Sequence, residues 1–318
     1  MAELKPRIDF EGRTRMETVM PLSSPYLIFL DPSDKCNAHC MHCPTGSREA
    51  LKYKTPMLMP LDLCKKIIDD LCAMDNPIKT LRLYKMGESL LNPDLHKMVK
   101  YAKDSGRFGQ VDLTTNGILL TPKLGRKLID AGLDKIFISV PTSYDIEYRD
   151  PILNFIAHRG ACKVYVKIIG DDMTQLEKEL FLHDFEDADR VFIENLAPCW
   201  PEFDVGEVGN VGIYGQPLTP APKVCPYPFY SLTINSDGTV SACYIDWKCD
   251  LILGDLRTET FKSVWNGDKL KRFQIMMLRG ERHSHPFCGN CQQLVYGAPD
   301  ILDPYADELL KKYLDKLP

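Results

Sequence analysis

Three cysteines, Cys36, Cys40 and Cys43, stand in a C-x3-C-x2-C run directly after the apolar stretch Tyr26–Leu30. Three thiolates can hold a cubane [4Fe–4S] cluster and leave its fourth iron without a protein ligand, open to a small chelating molecule. Zinc asks instead for four ligands, usually as paired C-x2-C or Cys/His sets. His39 and His42 lie between the cysteines, but as zinc ligands they would crowd one short loop. The segment Asp34–Pro44 is polar and has no helical or strand-like apolar period, so it does not read as a core element with buried thiols. The loop reads as a catalytic cluster site.

A second set of thiols lies far along the chain. Cys225 and Cys243 enclose 17 residues, with Gly238 five positions before Cys243, and Cys288-Gly-Asn-Cys291 adds a C-x2-C pair. The stretch between the first two carries a hairpin signal, Ser231–Ala242, with its turn at Asp237-Gly238. Four thiolates gathered in this way suit a fully ligated [4Fe–4S] cluster or a zinc ion. A cluster with every iron occupied serves outer-sphere electron transfer, and a purely structural clip is the alternative.

Five cysteines remain: Cys64, Cys72, Cys162, Cys199 and Cys249. The first three fall on or beside predicted elements and read as buried thiols. Cys199 and Cys249 stand apart. Cys249 shares the run Cys243–Asp250 with one of the proposed ligands, and its S–H bond is weaker than an alcohol's C–H bond, which makes it a candidate hydrogen-atom donor. Asp246 in the same run and Glu194 are candidates for deprotonating or hydrogen-bonding a hydroxyl.

The elements that must position these residues alternate. Strands are predicted over Leu27–Asp31, Thr80–Tyr84, Gln110–Thr114, Lys135–Val140, Val164–Ile169 and Arg190–Glu194, from β-branched apolar runs. Helices are predicted over Leu61–Met74, Pro93–Ser105, Pro122–Ala131 and Thr174–Phe185, with a short irregular turn within Ser143–His158. Such alternation specifies an α/β fold with a parallel sheet, whose ligands gather at the carboxyl ends of the strands. Cys36–Cys43 follows the first strand at that end.

The Gly- and Pro-rich segment 206–222 tolerates neither helix nor central strand and reads as a linker that skirts the active site. The expected organisation is a leader over 1–24, a barrel over 25–205, that linker, a small cluster domain over 223–300 and a C-terminal helix within 301–318.

Charge narrows the partners. With 318 residues, a formal net charge of −5 and a pI near 5.8, the chain lacks the basic footprint that a nucleic acid or an anionic membrane requires. No stretch is long and apolar enough to span a bilayer, and the start lacks an apolar signal core. The expected location is the cytoplasm, where 12 cysteines stay reduced or bind metal.

The run Cys36-Asn-Ala-His-Cys-Met-His-Cys43 resembles the cluster loop of the radical S-adenosylmethionine (radical SAM) superfamily. The resemblance implies that SAM chelates the open iron and is cleaved by one electron. The resulting 5′-deoxyadenosyl radical would take a hydrogen atom from an unactivated C–H bond. It also implies a partial (β/α)6 TIM-type barrel, open on one side for substrate, with a small C-terminal hairpin and helix iron–sulfur domain. Tyr84-Lys-Met-Gly-Glu-Ser89 resembles the family's GGE segment, with Met86 in place of the first glycine, then Gly87 and Glu88. Thr115, Asn116 and Ser139 fall where the family binds the ribose or carboxylate of SAM, and Lys167 is a candidate partner for that carboxylate.

The pattern Cys225-x12-Gly238-x4-Cys243, Leu253-Gly-Asp, Ser263-Val-Trp-Asn266 and Cys288-x2-Cys291 is similar to the twitch domain, the shortened form of the SPASM auxiliary-cluster domain. The implied cofactors are SAM and two [4Fe–4S] clusters. Resemblance to sugar- and cyclitol-modifying members implies an oxidoreductase that dehydrogenates a hydroxylated small molecule, the second cluster taking an electron. A flavodoxin- or ferredoxin-type protein would supply reducing equivalents. An epimerase with Cys249 as hydrogen donor is the alternative. A peptide-modifying maturase ranks third, because the leader is too short for a peptide-recognition domain.

Overall fold

The computed structural model describes residues 14–140, 146–297 and 300–315. The expected leader lies outside these up to residue 13, and the expected turn within Ser143–His158 up to residue 145. Six strands run in the predicted order: β1 Leu27–Leu30, β2 Ile78–Arg82, β3 Phe108–Thr115, β4 Lys135–Ser139, β5 Lys163–Ile169 and β6 Arg190–Glu194. The crossovers are α1 Leu61–Cys72, α2 Leu95–Asp104, α3 Pro122–Asp130, α4 Ile146–Ala157 and α5 Gln175–Asp184. Local chemistry sets their starts. Thr121 Oγ1 accepts from Leu124 N ahead of Pro122 in α3, and Thr174 with Glu177 forms a capping box for α5.

The crossover between β4 and β5 differs from expectation. It is a twelve-residue helix with Pro151 inside it, where a short irregular turn was predicted. A proline in a helix interior costs about 3 kcal/mol. Ile152, Phe155 and Ile156 are nevertheless all buried at helical spacing, and burying three such side chains is worth roughly 5–9 kcal/mol. Tertiary burial outweighs the local defect.

Consecutive parallel pairs join β1 to β6 through β2, β3, β4 and β5. The sheet does not stop at β1. The hairpin strands β7 Ser231–Ile234 and β8 Thr239–Ser241, then β9 Ile252–Asp255, continue it, so the order is β6-β5-β4-β3-β2-β1-β7-β8-β9. Strand β7 runs parallel to β1, Phe29 opposite Thr233 and Leu30 opposite Ile234. The thiols of the hairpin region are therefore carried by the same sheet as the first cysteine loop.

Alternation along each strand separates two environments. Ile28, Leu30, Leu81, Leu83, Val111, Leu113, Ile136, Ile138, Val164, Val166 and Ile168 belong to the main aliphatic core with residues of the crossover helices. The other face is aromatic and charged. Arg82 grips Asp112 with two bonds of 2.8 and 2.9 Å and lies over the rings of Phe29 and Phe137. Phe137, Tyr165 and Phe192 form a separate buried cluster on this inner face. The barrel interior is plugged below by these rings, which leaves the carboxyl ends of the strands as the place for ligands.

Candidate active site at the barrel mouth

The loop after β1 is held by groups from three directions. Asn92 Nδ2 donates to the carbonyls of Pro32 (2.8 Å) and Met59 (3.0 Å). Asp34 pairs with Lys54 at 2.9 Å, and Asn116 Nδ2 donates to Asn37 Oδ1 at 2.9 Å. The backbone of the Met86–Glu88 segment lies against the loop: Glu88 N donates to Lys35 O at 2.8 Å. A Cβ on Gly87 would stand 2.1 Å from Ser33 O and 2.4 Å from Lys35 O, so only glycine fits. Within the loop Cys40 is exposed, and Cys36 and Cys43 are half-buried. Burial pushes the Cys36 and Cys43 thiols above the usual range.

Glu88 organises the next layer. Its carboxylate is buried and accepts from Leu90 N (2.9 Å), Thr115 Oγ1 (2.7 Å) and Asn116 N (2.7 Å). These bonds tie the end of β3 to the segment beside the cluster loop and hold Thr115 and Asn116 at the mouth. Ser139 ends β4 opposite Lys167 of β5. Lys167 Nζ is paired with Glu194 Oε2 at 3.1 Å, so these two candidates form one unit on adjacent strands.

The four later cysteines are electrostatic neighbours of one another. Cys243 is pushed up by burial and by Cys225, Cys291 and Cys288, and Cys225 by burial and by Cys291 and Cys288. Arg282, buried, donates to the carbonyls of Cys288 (2.8 Å) and Cys291 (3.2 Å). Nothing in the sequence singled out Arg282. Among the described residues no group of three or more His, Cys, Asp or Glu converges on a point as a single metal ion requires. Both sets are all-sulfur, and desolvation raises their thiols above the usual range, so a cationic centre beside them would favour their deprotonation. This donor chemistry fits iron–sulfur clusters.

The two candidates from the run after Cys243 differ in their surroundings. Asp246 is fully buried, and its two oxygens accept from Asp250 N (2.9 Å) and Leu251 N (3.0 Å). It caps a turn rather than facing a substrate. Cys249 sits at φ +62° with Lys85, Lys54, Asp246 and Asp237 as its charged neighbours.

Cys199 is an electrostatic neighbour of one thiol from each set. Its electrostatic neighbours are Lys167, Cys43 and Cys291, and burial lifts it to about 12. Tyr244 stands nearby: it stacks on Phe29 with centroids 4.8 Å apart, and its surroundings include Tyr84, Cys243 and Cys199. Cys199 belongs to a strap that crosses the mouth after β6. Val205 O meets His42 Nδ1 of the cluster loop at 2.9 Å, and Pro201 O accepts from the Trp247 indole at 2.8 Å. Sequence offered no distance information here, since residue 199 is remote from both sets.

Thiols held in two groups by one sheet, at the mouth of a parallel partial barrel, define an iron–sulfur protein of α/β barrel type. Residues 30–167 match the radical SAM superfamily, and residues 225–292 match SPASM, an iron–sulfur cluster-binding domain. The chain thus carries a radical SAM domain followed by a SPASM iron–sulfur cluster-binding domain, a pair that indicates SAM and two [4Fe–4S] clusters as cofactors.

Among curated relatives it is 32% identical over 118 residues to the AdoMet-dependent heme synthase of Methanosarcina barkeri, covering 37% of this chain and 32% of that protein. It therefore spans about a third of that relative's length. Over 268 residues, 84% of this chain and 93% of the relative, it is 22% identical to the S-adenosyl-L-methionine-dependent 2-deoxy-scyllo-inosamine dehydrogenase of Niallia circulans. Its fold is similar to the structure of BtrN in complex with AdoMet and 2-DOIA, with TM-score 0.59 and 18% identity over 84% of this chain and 92% of that one. It is also similar to anSMEcpe with bound AdoMet, with TM-score 0.59 and 13% identity over 91% and 97% of the two chains. No helix among the described residues is long and apolar enough to cross a membrane.

Proposed function

We propose that this enzyme dehydrogenates a carbinol of a small hydroxylated molecule, a sugar or cyclitol. The observation that carries the reading is that one sheet carries both cysteine sets, β1 leading into the first loop and the β7–β8 hairpin of the second pairing alongside it, with Cys199 an electrostatic neighbour of both Cys43 and Cys291. The near full-length similarity to a 2-deoxy-scyllo-inosamine dehydrogenase supports it. Bound there, the cofactors would supply hydrogen-atom abstraction on one side of the substrate and an electron acceptor on the other.

The chain's own residues have distinct tasks. Cys36, Cys40 and Cys43 would hold the first cluster, and Cys225, Cys243, Cys288 and Cys291 the second, with Arg282 offsetting its negative charge. The main chain of Met86, Gly87 and Glu88, with Thr115, Asn116 and Ser139, would orient SAM. Glu194, held by Lys167, is the carboxylate at the mouth suited to receive the hydroxyl proton as the carbinol is oxidised. A flavodoxin- or ferredoxin-type protein would deliver the electron that starts each turnover.

A second reading, epimerisation, is supported by the same thiol. Cys199, in place of Cys249, would give its hydrogen to the substrate carbon. Anaerobic turnover of a carbinol-deuterated cyclitol separates the two, since oxidation yields a ketone and epimerisation an inverted alcohol carrying solvent hydrogen. If neither product forms from any sugar or cyclitol while SAM is cleaved, both readings fail.

A further inference from the structure

The cluster loop has an outer side as well as an inner one. His42 is tied to the strap through Val205 O at 2.9 Å, whereas Met41 beside it is 74% exposed. The chain that follows folds back on the loop. Ser47 N donates to Cys43 O and Ala50 N to Pro44 O, both at 2.9 Å, and a Cβ on Gly46 would stand 2.6 Å from Cys40 N. The short 3-10 turn Glu49–Lys52 is thereby fixed against the segment that carries Cys40 and Cys43. Leu51 on this turn and Tyr53 just after it are each 50% exposed. The Tyr53 ring is braced edge-on against the buried Trp247, with centroids 5.2 Å apart, and Lys248 Nζ lies 5.1 Å from its centroid. Three of the nine large apolar side chains exposed among the described residues thus fall between residues 41 and 53, on one compact unit around the first cysteine set.

Charge in this unit runs against that of the whole chain. Residues 34–54 carry four cations, Lys35, Arg48, Lys52 and Lys54, against two carboxylates, Asp34 and Glu49, in a chain of net charge −5. Lys54 pairs with Asp34 and Lys52 with Glu49. Lys35 and Arg48 are exposed and pair with no carboxylate among the described residues. They are near one another, since Arg48 is an electrostatic neighbour of Cys36, the residue after Lys35. An apolar centre with unneutralised cations marks a surface for an acidic protein, because complementary charge steers the encounter. Interfaces between redox partners are small, below about 1,200 Å². The carrier must also seat close to the thiolates that hold the receiving cluster, since electron transfer weakens steeply with distance.

We propose that Met41, Leu51 and Tyr53, together with Lys35, Arg48 and Lys52, form the docking face for an acidic one-electron carrier protein that reduces the first cluster. One electron moves from carrier to cluster, the carrier is oxidised and the cluster reduced, and no bond is made or broken. The inference rests on the reading that a flavodoxin- or ferredoxin-type protein starts each turnover. It adds where that protein sits and which residues receive it.

The test measures calorimetric binding of oxidised flavodoxin, and separately of oxidised ferredoxin, to anaerobically reconstituted full-length protein, alongside 5′-deoxyadenosine formation driven by the reduced carrier or by dithionite. Lys52→Glu and Leu51→Asp are each expected to weaken carrier binding about ten-fold, and added salt should weaken wild-type binding more than that of Lys52→Glu. Dithionite, which needs no docking face, should drive SAM cleavage equally in wild type and both variants, with iron content confirming that each is folded. Leu180→Asp, at an exposed position of α5, is the control and should bind the carrier as wild type does. Carrier affinity unchanged in both variants, lowered as much by Leu180→Asp, or lost only together with dithionite-driven cleavage would overturn this face while leaving the carrier reading intact. If neither carrier binds or drives wild-type protein that dithionite does drive, the carrier reading fails and the face falls with it.

Discussion

Lys85 Nζ lies 2.6 Å from Asn235 Oδ1, joining the loop after β2 to the residue that follows β7. The same ammonium donates to the Asp246 carbonyl at 2.8 Å, and all three residues are buried. One cation therefore couples the segment that carries Gly87 and Glu88 to the hairpin that carries Cys243. Lys85→Met should cost about 2–3 kcal/mol, because the amide oxygen and carbonyl it served are left buried and unpaired. Chemical denaturation of the reconstituted protein measures this, and a change below about 0.5 kcal/mol would remove the coupling role.

Asp31, the residue after β1, is fully buried, and its charged neighbours are Lys54, Lys85 and Asp34. Neither oxygen reaches a hydrogen-bond partner among the described residues, and burial raises its pKa from 3.8 to about 7. The folded chain then holds this proton more tightly than the unfolded chain. Stability from this group is present at low pH, falls as pH rises from about 4 to about 7, and is flat above. The upper bound is about 4 kcal/mol. Melting temperatures of wild type and Asp31→Asn, measured from pH 5 to 8, should diverge in favour of the variant as pH rises. A constant difference would show that Asp31 does not titrate there.

Gly87→Ala should prevent the close approach of its segment to the cluster loop, since the added carbon would meet Ser33 O at 2.1 Å. Loss of iron from the first site with retention at the second is the expected result, read by iron quantification against a Cys36→Ala control. Full iron content and unchanged SAM affinity would contradict it.

Much of this was written locally. The run Cys36–Cys43, the strand cores and the Asp237-Gly238 turn each depend on neighbours in sequence, so spacing and period revealed them. The parallel pairing of β1 with β7 joins residues about two hundred positions apart and leaves no local trace. Neither does the Lys85–Asn235 bond. Pro151 made α4 look broken, because its stabilising contacts are tertiary. Proximity to Cys243 in the chain pointed to Cys249 and Asp246, whereas the fold turns Asp246 into a cap and brings distant Cys199 toward both cysteine sets.

Cys199 and Cys249 are separable by substitution. Under dehydrogenation, Cys199→Ala and Cys249→Ala should both still yield ketone. Under the epimerase reading, Cys199→Ala alone should stop formation of the inverted alcohol. Product analysis by mass spectrometry in deuterated water decides between them.

The most direct measurement is 5′-deoxyadenosine formation by anaerobically reconstituted protein supplied with SAM and a strong reductant. Wild type should form it, Cys36→Ala, Cys40→Ala and Cys43→Ala should not, and Cys288→Ala with Cys291→Ala should form it yet release no oxidised product. SAM left intact by iron-loaded wild-type protein, or cleaved equally by the Cys36, Cys40 and Cys43 variants, would contradict the account.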